Sequence, residues 1–147
     1  MQLATPARHA QERHRLDDMP VPTFEHTVTT ADTAAVLGSG DLPVLATPRL
    51  INWLERATFT AAAAVVVPPE TTVGTLVRVE HLKASPVGSV ITLSCTTPMS
   101  DGRRLIFHVR ATDQDGNEVA AGELHRRVVD PSRFMARFTE RPGPSGS

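Results

Sequence analysis

Cysteine and long apolar runs are scarce in this chain of 147 residues, and each scarcity excludes a class of protein. The single cysteine, Cys95, has no partner for an internal disulfide and no second thiol at metal-ligand spacing. The longest apolar run, residues 61–67, is far shorter than the roughly 20 residues of a membrane-spanning helix. We therefore expect neither redox nor thiolate-metal chemistry, and no membrane partner.

Aromatic residues make up only 4% of the chain, and tyrosine is absent. Fifteen Lys and Arg residues against sixteen Asp and Glu residues leave a net charge of −1. A nucleic-acid binder needs a basic surface and often aromatic stacking platforms, so no nucleic-acid partner is expected. The N-terminus is charged and has no apolar stretch behind it that would indicate a secretory signal, so we expect a soluble, cytoplasmic protein.

The composition is otherwise that of one globular domain with two tails. Residues 1–22 mix charges, histidines and prolines without periodicity, and the chain ends in a run of Pro, Gly and Ser. We predict flexible tails at residues 1–22 and 135–147 and a single domain over residues 23–134. A domain of this size often enlarges its core by association.

Apolar residues recur at helical spacing after residue 46, which predicts one long helix. Thr47 suits the N-cap and Pro48 the first turn. The apolar stripe consists of Leu50, Ile51, Leu54, Ala57, Thr58 and Ala61. Glu55 falls just outside the edge of this stripe.

The remaining pattern is that of strands. A first strand is predicted from Phe24 to Thr30, followed by a lid or short helix over residues 31–46. Four strands are predicted after the helix, at 73–82, 89–97, 103–112 and 118–129, joined by turns at 85–88, 101–102 and 115–116. Strict alternation places Gly74 and His81 on opposite faces of their strand. These elements predict an α+β fold in which an antiparallel meander wraps one buried helix.

Three residues could carry chemistry, and each also has a purely structural interpretation. Glu55 would be a partly desolvated, reactive carboxylate or simply a solvated one. His81 shares a strand face with inward residues, and is either a proton-transfer group or a core histidine bonded to a carbonyl. Thr47 caps the helix or sets its hydroxyl beside free amides that could bind a carbonyl oxygen. The six histidines lack H-x-H and H-E-x-x-H spacing, so no metal site is expected.

Five short segments, in their order and spacing, resemble the hotdog-fold thioesterases of the fluoroacetyl-CoA-specific type. They are residues 46–57, 72–81, 84–88, 101–105 and 122–126, and the likeness extends from about Phe24 to Phe134. The resemblance implies a hotdog fold and a homodimer whose sheets join, with an acyl-CoA bound at the subunit interface. It implies catalytic roles for Thr47, Glu55 and His81, and substrate contacts from Gly74 and Arg126. No cofactor is implied beyond the CoA thioester itself.

One departure concerns the segment before the helix. The family member specialised for fluoroacetyl-CoA carries Phe residues there, whereas residues 31–46 contain no aromatic residue. The lid is instead aliphatic, which implies a different acyl pocket.

The function implied by the resemblance is hydrolysis of a small or medium acyl thioester, carried by CoA or by a carrier protein. Thr47 and the helix-start amides would hold the carbonyl, Glu55 would attack it or activate water, and His81 would move protons. On one helix Thr47 and Glu55 lie about 12 Å apart at 1.5 Å per residue. Either a substrate spans them, or the site combines residues of both subunits.

The main alternative is a non-catalytic acyl-CoA binding or sensing protein, because a fold does not determine a function. Such a protein would keep the groove and Arg126 while making no use of Glu55. A hydratase is disfavoured because no Asp occurs between Asp41 and Asp101.

Overall fold

One long helix lies against an antiparallel sheet in the computed structural model, which describes residues 23–139. The strands are β1 (Thr23–Thr27), β2 (Thr71–His81), β3 (Val90–Cys95), β4 (Met99–Asp101), β5 (Arg104–Thr112) and β6 (Glu118–Val129). The helices are α1 (Ala34–Leu37), α2 (Thr47–Ala63) and α3 (Pro131–Thr139), with a 3-10 turn at Thr30–Asp32. The predicted α+β class is confirmed.

Helix α2 supplies the inner layer of the core. Its buried residues are Leu50, Trp53, Leu54, Ala57, Thr58, Ala61 and Ala62, close to the predicted stripe. Ile51 is only half-buried, and Trp53 is buried with its ring stacked on His26 at 4.6 Å. The inward residues of β3 and β5, such as Leu93 and Phe107, complete the core. Helix and sheet therefore close over one apolar layer.

The sheet is not the predicted four-strand meander. Its order is β1-β3-β5-β6-β2, so β2 lies beside β6 instead of its sequence neighbour β3. The turn expected at residues 85–88 is part of a longer crossover. That crossover bonds to the lid, since the amide of Leu45 donates to the carbonyl of Ser85 and Val44 bridges to Pro86. A hairpin between β2 and β3 would need a loop of two to five residues, roughly, and this segment is longer.

The two Asp-Gly turns behave as predicted. Gly102 (φ 63°) joins β4 to β5, and Gly116 (φ 82°) joins β5 to β6. Both angles lie in the left-handed region that glycine adopts without steric cost. The segment at residues 31–46 forms the short helix α1 followed by an extended return to α2, as expected of a lid or a short helix with a loop.

Helix α3 extends past residue 134, where the domain was expected to end. It begins where Asp130 accepts a hydrogen bond from the amide of Arg133 (3.0 Å), and it runs through Thr139. Residues 135–139, which were predicted to begin the tail, are helical in the structure. The predicted tail at 1–22 and the rest of the C-terminal one, 140–147, lie outside the described residues. No helix within residues 23–139 has the length and hydrophobicity to cross a membrane.

Gly122 lets β2 and β6 approach unusually closely. A Cβ atom built there would overlap the backbone carbonyl of Arg78 and lie 2.7 Å from Cα of Val79. Backbone atoms in the middle of a sheet have little freedom to move away. We expect Gly122→Ala to lower the free energy of unfolding by about 1–3 kcal/mol, the range for overpacked sites.

Urea unfolding checks this expectation. The control is Glu118→Ala, at the exposed start of the same strand, which should change the free energy by no more than about 0.5 kcal/mol. Equal stability of Gly122→Ala and the wild type would contradict the close approach of these strands.

Candidate active site

Thr47 and His81 form a hydrogen-bonded pair at one end of α2. Thr47 is the first residue of the helix and His81 the last of β2, and their Oγ1 and Nδ1 atoms are 2.8 Å apart. The prediction that Thr47 is the N-cap is wrong. The N-cap is Ala46, whose side chain makes no capping hydrogen bond. The Thr47 hydroxyl bonds to the imidazole of His81 and does not cap the helix.

The backbone beside this pair can accept a ligand oxygen. The first amides of an α-helix have no intrahelical acceptor, and Pro48 removes one of them. The amide of Ala46 is already used, because it donates to the carbonyl of Asp32 (2.9 Å). The amides that are left in the first turn are those of Thr47 and Arg49. They lie next to the Thr47 hydroxyl, where a polarised carbonyl oxygen could bind.

The surroundings of His81 favour its neutral form. Burial lowers the pKa of His81 below its ordinary value. Its Nε2 atom is buried and has no hydrogen-bond partner within residues 23–139. A neutral imidazole at pH 7 can take up a proton, which is what a general base must do.

A second cluster lies further along the same helix. The carboxylate of Glu55 is 3.7 Å from Nη1 of Arg126, and 42% of its side chain is exposed. Gly74 lies opposite Arg126 in the sheet, and a Cβ atom built on Gly74 would be 2.5 Å from Oε2 of Glu55. The carboxylate thus occupies the space that a side chain at residue 74 would need.

Arg126 is a buried cation held by several partners. Its Nε donates to Oγ1 of Thr72 (2.8 Å), its Nη2 to the carbonyl of Thr72 (3.3 Å) and its Nη1 to Oγ1 of Thr58 (3.5 Å). Its guanidinium also lies 5.5 Å from the ring centre of Phe59. Burial lowers the pKa of Arg126 and the negative charge of Glu55 raises it. A buried charge without such partners would be strongly destabilising.

Sequence reasoning missed the residues that hold Arg126. Thr58 was assigned to the apolar stripe of the helix, although its hydroxyl faces the guanidinium and also donates to the carbonyl of Glu55. Thr72 carries no local signal at all. Its role depends on the register between β2 and β6, which no local pattern reveals.

A β-bulge explains how Gly74 and His81 both reach the helix side of β2. The register between β2 and β6 shifts between Gly74 and Leu76. A bulge adds one residue, so the alternation of faces is inverted beyond it. The expectation that Gly74 and His81 point to opposite faces is therefore wrong: one approaches Glu55 and the other contacts Thr47, both on α2.

The two clusters do not meet within one chain. Thr47 and Glu55 are both in α2, eight residues apart, so about 12 Å separates them along the axis. No hydrogen bond or ion pair in the described part of the chain joins one cluster to the other. The described part of the chain therefore carries two separate clusters. Within residues 23–139, no group of three or more His, Cys, Asp or Glu side chains could hold a metal ion.

Comparison with known proteins identifies relatives for most of the chain. Residues 28–132 match the model of the family FlK, described as fluoroacetyl-CoA-specific thioesterase. A fluoroacetyl-CoA thioesterase of Streptantibioticus cattleyicolor is 31% identical over 103 residues, which cover 70% of this chain and 73% of that protein.

Solved structures of similar proteins agree in fold. A structure of the fluoroacetyl-CoA thioesterase FlK superimposes with a TM-score of 0.74 at 28% identity, covering 86% of this chain and 99% of that chain. A variant of FlK in complex with fluoroacetate and CoA gives a TM-score of 0.73 at 28% identity, covering 81% and 97% of the two chains. A thioesterase superfamily member from Thermus thermophilus shares the fold at 22% identity, with a TM-score of 0.74 and coverage of 83% and 93%.

The protonation of His81 can be measured directly. We expect its imidazole to titrate below the ordinary pKa of 6.5, because burial disfavours the charged ring. A pH series of heteronuclear NMR spectra would follow the ring signals, and the His81→Gln variant would assign them. A pKa of 6.5 or above would contradict this account of the site.

Proposed function

Since the chain belongs to the family of fluoroacetyl-CoA-specific thioesterases, and is a thioester hydrolase with the hotdog fold, we propose that it hydrolyses small or medium acyl thioesters of CoA with Thr47, Glu55 and His81. The observation that carries the proposal is the arrangement along α2, where a hydroxyl–imidazole pair lies at the helix start and a carboxylate lies against a buried arginine. A related structure with fluoroacetate and CoA supports the substrate class.

The proposed chemistry is acyl transfer to water. The thioester carbonyl oxygen lies at the start of α2, where the Thr47 hydroxyl and free amides stabilise the negative charge of the tetrahedral intermediate. Glu55 either attacks the carbonyl carbon, forming an anhydride that water then hydrolyses, or removes a proton from an attacking water molecule. In both routes the carbon–sulfur bond breaks and CoA leaves as a thiolate. Neutral His81 takes up the proton that the hydrolytic water molecule releases, directly or by way of Glu55, and passes it to this thiolate.

Assembly of the site follows from the open edge of β2. Among the described strands β2 pairs only with β6, so its other edge can pair with a second copy. In an antiparallel two-fold pairing centred near residues 77 and 78, Gly74 of one subunit lies opposite His81 of the partner subunit. The Thr47–His81 pair of each subunit would then face the Glu55–Arg126 cluster of its partner. We propose this homodimer as the active form.

Because the lid is aliphatic, we propose that the acyl group of the substrate need not be fluorinated. The lid backbone is tied to α2, since Asp32 accepts a hydrogen bond from the amide of Ala46, the residue before Thr47. Its apolar residues Val36 and Leu42 are 59% and 62% exposed in the single chain. These aliphatic side chains favour apolar contact with an acyl chain or with the partner subunit.

The non-catalytic acyl-CoA binding protein that the sequence left open is not supported, because such a protein does not require a carboxylate beside Arg126 or an imidazole hydrogen-bonded to Thr47. In the hydrolase, Glu55→Gln should leave acyl-CoA binding intact while stopping turnover.

Thiol release from a panel of acyl-CoAs, from acetyl and fluoroacetyl to medium chains, tests the catalytic set. We expect Glu55→Gln and His81→Ala to lower kcat by about hundredfold or more, the usual contribution of a positioned acid or base. The matched controls are Glu123→Gln and His108→Ala, which remove the same groups from the opposite face of the sheet. An equal loss of kcat in the control variants, or no loss in Glu55→Gln and His81→Ala, would contradict the assignment of Glu55 and His81 as catalytic residues.

Mixed dimers test whether each site uses both subunits. Co-expression of His81→Ala and Glu55→Gln chains with different tags allows the heterodimer to be purified. In a shared site, one of its two sites combines an intact His81 with an intact Glu55, so about half of wild-type activity should return. If each site lies within one chain, the heterodimer stays as inactive as either parent.

A further inference from the structure

Four arginines converge on a cleft that the proposed reaction does not use. The cleft lies where β6 passes into α3 and has a volume of about 180 Å³. Its cationic lining consists of Arg103, Arg127, Arg133 and Arg137. This space is more than ten times what one water molecule needs, which is at least about 10–15 Å³.

Two of these side chains are held in place by other groups. Arg103 donates to the carboxylate of Glu70 (2.9 Å) and to the carbonyl of Val128 (3.3 Å). The guanidinium of Arg137 lies over the ring of Phe134, 5.4 Å from its centre. The cleft therefore has an oriented cationic wall on the sheet side and another on the α3 side.

Within residues 23–139, the charges at the cleft do not balance. The charged residues at the cleft are the four arginines, Asp130 in the lining and Glu70, which pairs with Arg103; the net charge of these six residues is +2. Arg127 also lies directly opposite Arg104 in the pairing of β5 with β6. Like charges directly opposite each other destabilise a sheet. The carboxylate of Asp101 pairs with Arg104 (2.7 Å), whereas no ion pair to Arg127 occurs among residues 23–139.

The cleft lies on the other side of the sheet from the Glu55–Arg126 cluster. Arg126 is directed toward α2 and is buried, whereas its neighbour Arg127 is exposed on the opposite face, as the alternation of a strand requires. An anion in the cleft would therefore not contact the carboxylate of Glu55. The two arginines serve separate sites.

We propose that this cleft binds a phosphate group that carries more than one negative charge, such as a diphosphate. Guanidinium groups match phosphate oxygens in shape and can form paired, charge-assisted hydrogen bonds. Arginines from the turn before β5, from β6 and from two successive turns of α3 surround the ligand. The source is either the nucleotide end of a CoA thioester, which rests on the proposed function, or a separate phosphate-bearing ligand, which does not.

Inorganic diphosphate is the first probe, with binding measured by isothermal titration calorimetry on the full chain. We expect saturable binding that weakens about tenfold in Arg133→Gln and in Arg137→Gln, since each removes a charged hydrogen-bond donor. Both residues lie on the exposed side of α3, away from the core, and thermal unfolding would verify that the variants fold. The control is Arg110→Gln, which removes an equal charge from the same face of the sheet and should bind as the wild type does.

Loss of binding in the control to the same extent, or wild-type binding by both α3 variants, would overturn the site. So would the absence of saturable diphosphate binding to the wild type. None of these results depends on turnover. The thioesterase proposal therefore stands or falls separately.

Free CoA as a second probe distinguishes the two sources. If CoA competes with diphosphate, and Arg133→Gln raises KM for acyl-CoA without lowering kcat, the cleft holds the nucleotide end of the substrate. If CoA and diphosphate bind independently and KM is unchanged, the cleft holds a separate phosphate-bearing ligand.

Discussion

The inner layer of the molecule depends on the hydrogen bonds and the ion pair of one buried group, the guanidinium of Arg126. A cation without partners under a helix would cost several kcal/mol, roughly, in lost hydration. Here the hydroxyls of Thr58 and Thr72 and the carboxylate of Glu55 surround it, and these residues come from α2 and β2. One charge therefore ties the helix to two strands and, in doing so, places a carboxylate where Gly74 leaves room.

The candidate catalytic groups form two clusters that lie apart along α2. The carboxylate lies midway along α2, and the Thr47–His81 pair lies at its start. A helix is rigid, so these groups cannot approach each other within one chain. In the proposed homodimer, pairing at the open edge of β2 brings the two clusters together. Strand β2 therefore connects the fold to the candidate site, because it contains Gly74, ends in His81 and has a free edge.

Much of this architecture was predictable from local patterns. The helical spacing of Leu50, Leu54 and Ala57 predicted α2 and its buried face, and Asp-Gly dipeptides predicted two turns that glycine conformations confirm. The order of strands was not predictable, because the crossover after β2 pairs with the lid through long-range hydrogen bonds. Thr47, taken for a cap, illustrates the same limit: its hydroxyl has a better partner in His81, 34 residues away.

The sequence by itself determined which groups are available. Residue types and spacing specified one long amphipathic helix, an antiparallel strand pattern, and a Thr, a Glu and a His at positions where an apolar face meets polar groups. Only the tertiary structure decided which of these groups are neighbours. The bulge at Gly74 inverts the faces of β2, the register with β6 brings Thr72 to Arg126, and α3 closes a cleft around four arginines. The physical reason is that local patterns set the conformation and exposure of each segment, whereas contacts between distant segments depend on register and packing.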